Sequence, residues 1–202
     1  MHVIALTGGI GAGKSTAAEV FRAKGALVLS LDDVAKRLLE PGSAVFDDVV
    51  SAFGEGILDA RGRVDTKALA RDAFSCPERS ARLNEIVHPA VLRSVSEMLE
   101  GLERRPDPPR LVVIEIPLLV ESPEFQRFVG GIVAISAPEE QRVARAVASG
   151  RDEDDVRARM ACQATDARRE AIADVAFVND GSIEKFREAL GRYADEVIAD
   201  AP

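Results

Sequence analysis

The stretch that most constrains this chain is Val3 to Thr16, VIALTGGIGAGKST. A short apolar run is followed by Gly8, four residues, then Gly13, Lys14 and Ser15, the spacing G-x-x-x-x-G-K-S. A strand, a glycine loop and a helix start in that order make a phosphate-binding loop. Glycines at Gly8, Gly9, Gly11 and Gly13, with only Ile10 and the small Ala12 between them, let successive backbone N–H groups turn inward on phosphate oxygens. Lys14 then places a point charge on the β and γ phosphates of a nucleotide, and the Ser15 hydroxyl takes a place in the shell of Mg²⁺. The helix running on through Thr16 aims its positive end at the same phosphates. A dinucleotide-binding G-x-G-x-x-G fails here, because after Gly9 and Gly11 the third glycine position holds Lys14.

The chain has 202 residues, enough for one substantial core with an insertion or two. Its net charge of −8 argues against a non-specific nucleic-acid binder, which needs clustered Lys and Arg, and leaves a nucleotide ligand open. No apolar run approaches the roughly 18 residues that span a membrane, and the N-terminus enters the first strand without a signal-peptide pattern. Cys76 and Cys162 lack C-x-x-C spacing, so both are expected to be reduced and at least half-buried. These features predict a cytoplasmic protein.

Further along, Ala26 to Leu29 reads as a second strand ending in Ser30, Leu31, Asp32, Asp33. Carboxylates at a strand's C-terminal end line the ligand crevice of an open α/β sheet, so Asp32 or Asp33 is a candidate base; the alternative is that one caps the next helix, the favoured reading for Asp33. Ser43 to Gly101 is helical in pattern, with breaks at Gly54 to Gly62, at Cys76–Pro77 and at His88–Pro89. That excursion between strands predicts an inserted helical subdomain. His88 is a structural hydrogen-bonding residue or a ligand contact.

A proline-rich connector leads to a third strand at Leu111 to Ile116, where Glu115 is the candidate acid for Mg²⁺ support. Glu121 is either a second acid at the cleft edge or the start of a helix before Pro123. Ile132 to Ile135 is a fourth strand, followed by arginine-rich helical sequence from Pro138 to Ala173. Most of these arginines read as surface partners of Asp152 to Asp155 and Glu170, while one over the phosphates can act as a lid charge. Val175 to Val178 is a fifth strand, and a final helix carries a packing stripe at Ile183, Phe186, Leu190, Tyr193 and Val197. Strands separated by helices without hairpins predict an α/β fold with a five-stranded parallel sheet covered on both faces.

These residues together resemble the dephospho-CoA kinase family of phosphate-loop nucleotide kinases. The resemblance rests on LTGGIGAGKST at Leu6 to Thr16, LDDVAKRLLEPG at Leu31 to Gly42 and LNEIVHP at Leu83 to Pro89. It continues through IPLLVE at Ile116 to Glu121, Gln163, and ADVAFVNDG at Ala173 to Gly181. It implies transfer of the ATP γ-phosphate to the ribose 3′-hydroxyl of dephospho-CoA, with ATP and Mg²⁺ required. Asp32 would be the base or orienter of that hydroxyl, and Asn179 would lie near the adenine. His88, Leu118 and Glu121 would be on the acceptor side. The implied organisation is a kinase core at 1–59, 106–139 and 166–202, an acceptor subdomain near 60–105 and a lid near 140–165; the expected partners are small molecules, without nucleic acid or membrane, for a monomer whose weak self-association is left open.

Two positions depart from the family pattern. Ser30 stands where the first acid of D-x-D is usual, and Ala148-Ser149-Gly150 stands where an arginine precedes Asp-Gly. Arg145 or Arg151 is left to supply the lid charge, Arg145 being the candidate. Two rival readings are a kinase for another nucleoside or nucleotide acceptor, and a nucleotide-dependent switch, the latter weakened by the lack of an obvious N-K-x-D guanine-reading motif.

Overall fold

The computed structural model describes residues 1–73 and 75–201. Five strands form one sheet: β1 (His2–Gly8), β2 (Leu27–Ser30), β3 (Leu111–Glu115), β4 (Gly131–Ser136) and β5 (Val175–Val178). Their order is β2-β3-β1-β4-β5 and every pairing is parallel, as the strand–helix alternation predicts. β1, β3 and β4 are nearly wholly buried, so both faces of each strand are apolar, whereas the edge strand β5 leaves Val178 exposed. The chain leaves β1 for β2 on one side and crosses β1 again from β3 to β4. That reversal sets the carboxyl ends of β1 and β3 side by side, Leu6 opposite Glu115, at the position where open α/β sheets bind ligands.

The chain divides into two compact units, the first being Met1–Ser30 with the residues from Glu103 onward. In it, α1 (Lys14–Ala23) and the C-terminal helix α9 (Ile183–Ala199) cover the sheet, and Phe21, Phe186, Leu190 and Ala194 meet Leu6, Val113 and Ile135 in the core. Tyr193 and Val197 pack at its border, but Ile183, the first residue of the expected stripe, is exposed. Helices α6 (Glu139–Ala148), α7 (Glu153–Cys162) and α8 (Asp166–Glu170) follow β4, with a small core of Val143, Ala146 and Val156.

The second unit, Leu31–Leu102, is helical. It holds α2 (Leu31–Leu38), α3 (Ala44–Phe53), α4 (Thr66–Ala73) and most of α5 (Pro77–Glu103), around Val45, Val49, Phe53, Ile57, Leu69 and Ala90. Ser43 caps α3 by accepting from Phe46 N at 3.0 Å. The expected break at His88–Pro89 does not occur: α5 runs through Pro89 for 27 residues. A mid-helix proline costs about 3 kcal/mol. Burial of Ala90, Val91, Val95 and Leu99 on the following turns offsets it.

Three smaller expectations are also corrected. Neither Asp32 nor Asp33 caps a helix, because α2 starts at Leu31 and both acids lie inside its first turn, where they favour the helix dipole. Cys162 is exposed, at the end of α7, while Cys76 is half-buried; both are free thiols. Glu121 does not begin a helix; a short 3₁₀ turn starts at Pro123, with Ser122 before it.

Candidate phosphate-loop active site

The loop from Gly8 to Gly13 turns β1 into α1, whose first turn carries no acidic residue to compete for its positive end. Gly11 (φ +72°) and Gly13 (φ +112°) take a backbone conformation that side chains oppose. Space forbids side chains there as well. A Cβ on Gly11 would lie 2.1 Å from the Arg142 carbonyl oxygen, and one on Gly13 2.5 Å from Asn179 Nδ2.

Each carbonyl from Gly8 to Ala12 is met by a side-chain donor. Lys14 Nζ donates to Gly8 O at 2.7 Å and to Gly9 O at 3.0 Å. Arg142 Nε donates to Ile10 O at 2.9 Å, Arg145 Nη1 reaches Gly11 O at 3.5 Å, and Asn179 Nδ2 donates to Ala12 O at 2.9 Å. In a trans peptide the N–H of the next residue points opposite to the carbonyl. A donor that fixes a carbonyl therefore also fixes the direction of the amide that follows it, and backbone amides fixed in a glycine loop can receive an anion.

The donors are themselves anchored. Arg145, half-buried on α6, also donates Nη2 to Asn179 O at 2.9 Å and to Gln141 Oε1 at 3.0 Å. Asn179 follows β5, is 5% exposed, and donates its backbone N–H to Ser136 O at 2.8 Å. Its side-chain amide is thus committed to the loop. Arg151 lies exposed in the turn after α6.

Ser15 is exposed in the first turn of α1, and Thr16 beside it is half-buried. Glu115 ends β3 next to the loop-bearing strand, with Arg22 Nη2 3.5 Å from its Oε1. Among the described residues no group of three or more His, Cys, Asp or Glu forms a metal cluster. Ser15 offers a hydroxyl and Glu115 a strand-end carboxylate, oxygen donors of the type a hard divalent ion takes.

Leu118 is 44% exposed beyond β3, and Glu121 accepts from Ala164 N at 2.6 Å, tying this segment to the residue just past α7. Asp32, exposed, and His88, half-buried, belong to the helical unit; Asp32 comes two residues after the end of β2. The main omission of sequence reasoning is Arg142. Most arginines of this segment read as surface partners, yet Arg142 and Arg169 are 7% and 1% exposed and share Asp166. Arg157 and Arg159 do form expected surface pairs, with Glu153 and Asp155, and Arg157 also pairs with Glu140, which the sequence did not suggest. Helical spacing alone carried the signal: Arg142 precedes the buried Val143 and Ala146 on α6.

The family model for dephospho-CoA kinase matches residues 2–185. A dephospho-CoA kinase of Corynebacterium diphtheriae is 39% identical over 198 residues, covering 98% of this chain and 96% of that one. Among solved structures, a Thermus thermophilus protein superposes with a TM-score of 0.80 at 37% identity, over 96% of this chain and 97% of that one. The dephospho-CoA kinase of Campylobacter jejuni shares the fold, with a TM-score of 0.72 at 23% identity over 98% of this chain and 97% of its own.

Proposed function

We infer the work of individual residues from the premise that the chain belongs to the dephospho-CoA kinase family. Its reaction is ATP-dependent phosphorylation: the γ-phosphate of ATP passes to the 3′-hydroxyl of the ribose of dephospho-CoA, giving coenzyme A and ADP. The observation that carries the site is the row of five loop carbonyls held by Lys14, Arg142, Arg145 and Asn179.

In this reading the amides of the Gly8–Gly13 loop, with Ser15 and Thr16, take the ATP phosphates, and Lys14 leaves its two carbonyl partners to meet the β and γ oxygens. That exchange trades neutral acceptors for anionic ones, which hold an ammonium more strongly. Arg145 is the lid charge, being already at the loop, and the exposed Arg151 is not needed. Ser15 and Glu115 are the residues that would hold Mg²⁺, which would supply charge neutralisation to the transferring phosphoryl group. Asp32 orients the acceptor hydroxyl and takes its proton as the oxygen–phosphorus bond forms. His88 in the helical unit, and separately Leu118 and Glu121 after β3, are assigned to the binding of dephospho-CoA. Phosphoryl transfer of this kind asks the protein mainly for positioning and charge neutralisation. Within this proposal the protein acts as a cytoplasmic monomer on small molecules, with no nucleic-acid partner; among the described residues no helix is long and apolar enough to cross a membrane.

The test is ADP release from Mg·ATP with and without dephospho-CoA, with the product weighed. ADP that appears only with acceptor, together with a product heavier by one phosphoryl group, supports the assignment. Release that ignores dephospho-CoA points to a switch, and release driven by a different nucleoside points to another acceptor.

A further inference from the structure

Asp166, at the start of α8, is a carboxylate shared by two buried arginines. Its Oδ2 accepts from Arg142 Nη1 and its Oδ1 from Arg169 Nη1, each at 3.0 Å. A guanidinium is a planar fork, so fixing two of its nitrogens fixes the third. On Arg142, Asp166 holds Nη1 and the Ile10 carbonyl holds Nε. Nη2 is thereby set against Gly9, so closely that a Cβ there would come within 2.1 Å of it. The phosphate loop, α6 and α8 meet at this one side chain.

The surroundings make Asp166 hard to replace. Arg169 has Nε and Nη2 buried with no protein partner among the described residues. Burial disfavours its charge, and Asp166 and then Glu121 counter that. Without Asp166, two buried cations lose their common anion, and Arg142 is free to swing about its single remaining bond to Ile10.

We propose that Asp166 is a positioning residue for nucleotide binding, acting through Arg142 to keep the Ile10 peptide and the Gly9 turn in their phosphate-receiving form. The proposal rests on the reading that this loop binds the phosphates of ATP. It adds a residue outside the glycine motif, on the short helix that closes the lid segment, to the set that determines ATP affinity.

The experiment compares wild type, Asp166→Asn, Arg142→Lys and the double variant by steady-state kinetics, direct ATP titration and thermal melting. Asn keeps the shape and removes the charge, and Lys keeps the charge and removes the fork. Each single variant is expected to raise the KM and Kd for ATP about tenfold, the loss of one charge-assisted hydrogen bond. The KM for dephospho-CoA is expected to stay within about twofold. Because both act through one contact, the double variant is expected to be no worse than about the poorer single variant. A lower melting temperature in Asp166→Asn with unchanged ATP affinity overturns the proposal, as do effects that multiply in the double variant. Should Asp166→Asn fail to fold, an unchanged ATP KM in Arg142→Lys overturns it equally. A wild-type chain that binds no ATP defeats the functional reading itself, and one that binds ATP without phosphorylating dephospho-CoA defeats only the acceptor, so the two failures are told apart.

Discussion

Asn179 Nδ2 donates to the carbonyl oxygen of Ala12 at 2.9 Å, across 167 positions of sequence, and both residues are buried. The bond ties the end of β5 to the phosphate loop. Asn179→Ala leaves the Ala12 carbonyl buried without that donor, at a cost of about 1–3 kcal/mol. The expected result is a lower melting temperature and an ATP Kd raised several-fold, with the KM for dephospho-CoA unmoved, as read by thermal melting and isothermal titration.

Arg145 and Arg151 lie on either side of the Ala148-Ser149-Gly150 turn, and only Arg145 reaches the loop. Arg145→Ala is expected to lower kcat about 100-fold through lost stabilisation of the transferring phosphoryl group. Arg151→Ala should leave turnover within about twofold, as surface substitutions do. Equal losses in the two variants would assign the lid charge to Arg151 as well.

Asp32 is assigned to the acceptor hydroxyl and not to ATP. Asp32→Asn is therefore expected to reduce kcat by about 100-fold or more. ATP affinity, measured by titration in the absence of acceptor, should stay near the wild-type value. Undiminished turnover would remove Asp32 from the mechanism.

Asp59 closes the Leu58–Val64 turn of the helical unit by accepting from the backbone N–H groups of Arg61 and Arg63 at 2.8 and 2.9 Å. The Arg63 N–H, foremost, holds its carboxyl below the usual range, with the Arg61 N–H and the Arg63 side chain assisting. A carboxylate whose pKa is depressed by folding stabilises the fold above its unfolded pKa, and that contribution is lost as pH falls through the folded value. Asp59→Ala is expected to melt at a lower temperature than wild type at pH 7. The difference should narrow as pH falls below about 4, where the unfolded-state carboxyl protonates first and the folded one only at lower pH. A gap independent of pH would mean that the turn depends on side-chain shape alone.

Much of the fold was legible because it is written in local pattern. Apolar runs of four to six residues bounded by glycine and polar turns marked all five strands, and Val175–Val178 begins and ends where those residues do. Pro89 misled because a proline's local cost is visible in sequence, whereas the burial of Val91 and Val95 that offsets it is not. Arg142 and Arg169 misled for a related reason. An arginine beside acidic neighbours looks solvated until a distant strand and helix close over it.

By itself the sequence determined the phosphate loop, the parallel α/β class and the kinase family, since glycine spacing, strand runs and motif order are local properties of the chain. Only the tertiary structure decided which side chains hold the loop carbonyls. Lys14 is adjacent to the loop, but Arg142, Arg145 and Asn179 arrive from α6 and the end of β5, more than a hundred residues away. Hydrogen bonds act over about 3 Å and are blind to sequence separation, so such partners exist only once the sheet has set β1, β4 and β5 side by side.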